Sequence, residues 1–149
     1  MTSARDARRE APIPLGFSLN CFDCGECDGC TLLFATEMNS NVRILEVRDG
    51  APLALQLLRR IDSGGDRLVW SGSGLLFCGE WNAQSESHAV RVWRVSRGGR
   101  RVERLDGTPI AHSDNVLINC WCAVGGERIA LYDVKTGDVV LYFYELHNK

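Results

Sequence analysis

The chain has 149 residues, 45% hydrophobic and 24% charged, with a formal net charge of -2. This is the balance of an ordinary folded protein of about one domain, and it excludes an intrinsically disordered chain. The near-neutral charge gives no general pull toward nucleic acid or an anionic membrane, and no apolar run approaches the ~18 residues that suggest a membrane-spanning helix.

Residues 1–14 read as a flexible N-terminal tail. They mix Arg5, Arg8 and Arg9 with Asp6 and Glu10 and lack the apolar stretch of a secretory signal. The cysteine count is seven, an odd number. Without a signal, that usage fits a reducing compartment, so a cytoplasmic or nuclear location is expected.

A first strand is predicted over residues 15–24, with turn chemistry over 23–29 supplied by Gly25, Asp28 and Gly29. Strands follow at 32–38, 42–47 and 53–58, separated by Asn39-Ser40-Asn41 and by a turn at 48–52. A second set begins at 67–70, turns at Ser71-Gly72-Ser73-Gly74, and continues through 75–80. A longer loop over 82–88 leads to strands at 90–95 and 101–105. A third set comprises 108–112, 116–124, 128–134 and 139–146. Glycine or proline recurs about every ten residues and the apolar positions follow no 3.6 period, which argues against helices.

Three segments say nearly the same thing: Val42-Arg43-Ile44-Leu45-Glu46-Val47, Val90-Arg91-Val92-Trp93-Arg94-Val95 and Ile129-Ala130-Leu131-Tyr132-Asp133-Val134. Each is followed by a glycine three positions later, at Gly50, Gly98 and Gly137. Leu32-Leu33-Phe34-Ala35-Thr36-Glu37 is likewise echoed by Leu75-Leu76-Phe77-Cys78-Gly79-Glu80. Leu45 and Trp93 lie 48 residues apart, and Trp93 and Tyr132 lie 39 apart. Periods near 40 to 50 with four strands each point to propeller blades. Within the motif, Val42 and Ile44, Val90 and Val92, and Ile129 and Leu131 share one face, while Leu45, Trp93 and Tyr132 fall on the other. Strands apolar on both faces are expected to be covered on both sides.

On these motifs, residues 17–146 resemble the WD-repeat β-propeller family as about three degenerate blades, with Tyr132-Asp133 standing where the family has Trp-Asp. The resemblance implies an all-β fold of consecutive four-stranded antiparallel meanders packed as propeller-like blades. The domain would span 15–149, in units 15–60, 66–106 and 107–147. Closed propellers use at least four blades, so the array is expected to be incomplete as a monomer.

Candidate chemistry is sparse. Cys21, Cys24, Cys27 and Cys30 are each three residues apart, and thiolates in that spacing are ligands for zinc or an iron–sulfur cluster. Only Gly25 and Glu26 separate the two pairs, which is cramped for four tetrahedral ligands and weighs toward strand and turn cysteines without a ligand role. Cys78 and Cys122 align with Ala35 and are expected to be core residues. His112-Ser113-Asp114 holds triad letters on adjacent residues, which cannot align as nucleophile, base and orienter. Ser71 to Gly74 lacks the Gly-Lys of a phosphate loop. Glu37 and Glu80 occupy equivalent repeat positions and read as structural. Arg97, Arg100, Arg101 and Arg104 make a small basic patch expected to be a solvated hairpin rather than a nucleic-acid contact.

The last strand carries Tyr142, Phe143 and Tyr144, which are the candidate interaction residues. Its edge is open to the N-terminal segment near 12–17, to a second copy of the chain, or to a partner's strand. The expected function is a non-catalytic protein–protein interaction scaffold, with no catalytic residues and no cofactor, acting as a homo-oligomer or as a subunit of a larger assembly. The alternatives are a zinc or iron–sulfur protein and an RNA-assembly subunit.

Overall fold

The computed structural model describes residues 6–37, 41–50, 52–62, 67–82, 87–105, 110–112, 116–124, 128–133 and 136–143. Among them the chain is all-β, with antiparallel sheets and a single 3-10 turn. Among the described residues no helix is long and apolar enough to cross a membrane.

The first sheet is a meander of β1 (Leu19–Cys27), β2 (Cys30–Glu37), β3 (Val42–Arg48) and β4 (Ala54–Ile61), paired in that order. Its first strand starts and ends later than the sequence suggests. The turn expected over 23–29 shrinks to two residues, because Asp28 (φ 50) and Gly29 (φ 78) both take the left-handed conformation. Positive φ at both central residues matches the right-handed twist of a hairpin, and Asp-Gly supplies it at low steric cost.

The second sheet orders β5 (Arg67–Trp70), β6 (Leu75–Asn82), β7 (Ser87–Ser96) and β8 (Arg101–Arg104) in the same way. The loop expected over 82–88 is shorter, since Asn82 still pairs with Ser87. In the turn after β5, the Ser71 hydroxyl accepts hydrogen bonds from the backbone N–H groups of Ser73 and Leu75, both at 3.2 Å.

The described part of the strand predicted over 108–112 does not open the third set. β9 (Ile110–His112) pairs instead with β7, beside Val90, Ala89 and His88, past the point where β8 ends. The ten-residue β7 outruns its four-residue partner, and β9 takes up the backbone groups left over. The third sheet accordingly orders three described strands, β10 (Val116–Ala123), β11 (Arg128–Asp133) and β12 (Val139–Phe143).

Two apolar clusters bind the sheets together. Leu32, Phe34, Val42 and Ile44 of the first sheet pack with Leu68, Trp70, Leu76, Cys78 and Val95 of the second. Phe34 and Trp70 stack there with ring centroids 4.8 Å apart, and Trp93 packs against the same cluster. The opposite face of the second sheet, with Val69, Leu75, Phe77, Val90 and Val92, packs with Ile129 and Leu131 of the third. The middle sheet is therefore covered on both faces, as its doubly apolar strands require. The first strands also meet: β1 touches β5, and β5 touches β10.

The third copy of the repeat breaks the expected pattern. Val42 and Ile44 face the following sheet, as do Val90 and Val92, but Ile129 and Leu131 face the preceding one. Among the described strands nothing follows the third sheet, so its most apolar face is buried only by turning back. The expected core position of Cys122 is overturned for the same reason: Cys78 is buried and Cys122 is exposed.

Each cluster is rooted in a fully buried phenylalanine, Phe34 in one and Phe77 in the other. Phe34→Ala and Phe77→Ala are each expected to cost about 3–5 kcal/mol. Urea denaturation followed by tryptophan fluorescence should show lower midpoints with one transition retained, since both clusters share the second sheet.

Candidate functional site

The cysteine-rich stretch is where the sequence places its chemistry, and the structure makes it a strand. Side chains on a strand alternate faces, so a spacing of three splits the cysteines. Cys21 and Cys27 lie on the face toward the second sheet, together with Asp23 and Gly25. Cys24 lies on the opposite face and is exposed, beside Phe22 and Glu26. Cys30 is the cross-strand partner of Cys27 and shares its face. Among the described residues no group of three or more His, Cys, Asp or Glu side chains is gathered as a metal site.

What the inward face does is join two sheets. The Asp23 carboxylate accepts the backbone N–H of Trp70 at 2.8 Å, so it is a β5 partner and not a turn residue. Gly25 lies directly against the Trp70 indole, and a Cβ there would overlap the ring. Farther along, Asp28 Oδ2 accepts the backbone N–H of Gly98 at 3.0 Å, and the Cys27 thiol donates to the Val95 carbonyl at 3.6 Å. Cys21 is tied in differently. Its backbone N–H donates to Thr36 Oγ1 at 2.9 Å, that hydroxyl donates to its carbonyl at 3.2 Å, and Arg67 reaches its sulfur at 3.6 Å.

The basic hairpin is the other half of this joint, and its backbone is not solvated as expected. The 3-10 turn Arg97–Gly99 buries Gly98 and Gly99 against Cys30, Leu32 and Leu58. Arg59 Nε donates to the Arg100 carbonyl at 2.8 Å, and the Arg100 guanidinium lies 3.5 Å from Glu46. The side chains of Arg97, Arg100, Arg101 and Arg104 remain exposed. Glu46 also accepts from Arg48 at 2.9 Å. That bond, helped by the Cys30 thiol and by Arg100, holds its carboxyl below the usual carboxylate range against the opposing pull of desolvation.

A cleft of about 410 Å³ opens beside the joint, lined by Glu26, Cys27, Asp28, Trp70 and Arg94 among others. Burial pushes the Cys27 thiol up, and the Asp28 charge pushes it further. At neutral pH it is a protonated donor and not an activated nucleophile. Burial raises Cys78 much more strongly.

The remaining candidates are dispersed. Glu37 pairs with Arg43 at 2.9 Å, and Glu80 with Arg91 at 2.6 Å. These are the same β2–β3 and β6–β7 cross-strand pair in successive repeats, as their equivalent positions suggest. Tyr142 is the register partner of Ile129 and shares its face, while Phe143 pairs with Arg128 on the other, its ring 5.8 Å from that guanidinium. Tyr144, Ser113 and Asp114 lie outside the described residues, and His112 ends β9. The N-terminal segment does not add to β12: the Phe17 ring lies 4.1 Å from the guanidinium carbon of Arg43 on the outer face of the first sheet. Sequence reasoning missed Asp23 and Gly25 as joint residues. Their types read as turn signals, and only the register of β1 shows which face they occupy. No protein-family model matches the chain, and no curated protein matches it either.

Asp23→Ala would leave the Trp70 N–H without its partner, at an expected cost of about 1–3 kcal/mol. Gly25→Ala would overpack the same contact, also at about 1–3 kcal/mol. Denaturant midpoints read both. In the folded protein, iodoacetamide at pH 8 should modify the exposed Cys24 and Cys122 readily and leave Cys78 unmodified until denaturant is added. Fast labelling of Cys78 would contradict its burial.

Proposed function

We propose that the chain is a non-catalytic protein-interaction scaffold of propeller-like blades, completed by further copies of itself or by incorporation into a larger assembly. The observation that carries this reading is the unequal cover of the three sheets. The middle sheet is apolar on both faces and covered on both, whereas each outer sheet has a cover on one face and bears large apolar side chains on the other.

On the outer face of the third sheet Val139 is 66% exposed, Leu141 57% and Phe143 58%, with Tyr132 beside them. On the outer face of the first sheet Phe22 is 59% exposed and Leu57 42%. The row on the third sheet is a contiguous apolar patch, of the kind that marks association surfaces more often than idle ones. Among the described strands β12 is also an edge strand with one side unpaired, and a flat apolar edge is a template for another strand. The face-to-face packing of successive sheets, with their first strands in contact, is consistent with blades of a ring. Three such sheets fall short of the four or more that a closed propeller needs.

The deciding measurement is mass in solution by light scattering across a range of concentrations. Two or more copies are expected, and Leu141→Glu should shift the population toward monomer while leaving the far-ultraviolet circular dichroism unchanged. A compact monomer at all concentrations, with no stable partner recovered, would overturn the proposal.

A further inference from the structure

We propose that Cys27 and Cys30 form a redox-active dithiol, and that closing a disulfide between them releases the Arg97–Gly99 turn from the first sheet. The two residues flank the Asp28-Gly29 turn and stand directly opposite each other in the β1–β2 ladder. Directly opposed residues in an antiparallel pair have Cα atoms roughly 4.5–5.5 Å apart. That lies within the ~4.4–6.8 Å that a disulfide spans. Both side chains lie on one face of the hairpin, so no change of strand register is needed. Cys24, three residues from Cys27, is on the other face and cannot compete for either sulfur.

Both sulfurs take part in the joint between the sheets. Cys27 donates to the Val95 carbonyl at the end of β7. Cys30 lies so close to Gly98 that a Cβ on that glycine would be 2.9 Å from its sulfur, and its thiol helps to lower the pKa of the Glu46 carboxyl. A disulfide draws the sulfurs to ~2.05 Å and removes both thiol protons. The Val95 carbonyl loses its donor, and the sulfur under Gly98 moves. The turn then keeps the contacts of Asp28, Arg59 and Arg100 and the packing of Gly99 on Leu32 and Leu58, without the support of the two thiols.

The co-reactant is a small-molecule disulfide such as oxidised glutathione. Cys30 is half-buried and so the more accessible sulfur. Its thiolate attacks one sulfur of the oxidant, forming a mixed disulfide and expelling one glutathione thiolate. Cys27, bordering the cleft, loses its proton and attacks the Cys30 sulfur, forming the Cys27–Cys30 bond and expelling the second thiolate. Two protein thiols are oxidised, one glutathione disulfide is reduced to two thiols, and the two protons pass to the leaving groups.

The test uses the full chain, equilibrated in buffers from reduced to oxidised glutathione, then acid-quenched, alkylated in denaturant and measured by intact mass and peptide fragmentation. The expected result is loss of two of the seven labels, with the bond located between residues 27 and 30. Tryptic cleavage after Arg97 and Arg100 should become several-fold faster in the oxidised form. Cys30→Ser should lose no pair of labels and show no acceleration by oxidised glutathione; if it fails to fold, fragmentation of the unaltered chain still decides. Seven labels retained, a bond between Cys21 and Cys78, or a Cys27–Cys30 bond without faster cleavage would each overturn the proposal.

Discussion

The backbone N–H of Trp70 is satisfied by a carboxylate from another sheet, and much of the arrangement depends on that bond. β5 has four residues and one neighbouring strand, so its second side needs partners from outside its own sheet. Asp23 supplies one at Trp70. The indole of the same residue then fits over Gly25 and stacks on Phe34, so a polar contact on the backbone and apolar contacts on the side chain hold one residue. Disturbing either would move the other, because interiors packed to crystal-like density transmit displacement.

This joint extends along the whole inward face of β1. Asp23, Gly25, Cys27 and then Asp28 at the turn meet successive groups of the second sheet, from β5 to the turn after β7. A two-residue hairpin is stiff, and its directly opposed ends carry two sulfurs to the point where the neighbouring turn docks. The cysteines thus sit at a mechanical contact between sheets, which gives their oxidation state a route to the packing of the protein.

The two outer sheets solve the same burial problem in opposite ways. The first turns Val42 and Ile44 forward onto the second sheet, and the third turns Ile129 and Leu131 back. One cluster thus joins unlike faces of the repeat and the other joins like faces. That reversal carries Cys122 outward and exposes the row at Val139 and Leu141. Among the described strands it also ends the row of three sheets with an apolar face outward.

Strand content, the meander order of the first two sheets and the doubly apolar character of the middle one were legible in the sequence by itself. They follow from local chemistry: period-two apolar residues, glycine at turns, and a motif repeated with its turn glycine. The equivalence of Glu37 and Glu80 was legible for the same reason, and the structure pairs both with arginines across the ladder. Three things were decided only by tertiary structure. Asp23 and Gly25 have the composition of a turn, yet the register of β1 makes them interface residues. The strand at 110–112 pairs with β7 because that long strand has backbone groups to spare. The direction in which the third repeat faces was open as well, because a strand apolar on both sides carries no mark of which side is buried. A one-residue change of parity exchanges its faces, and only the neighbouring sheet selects between them.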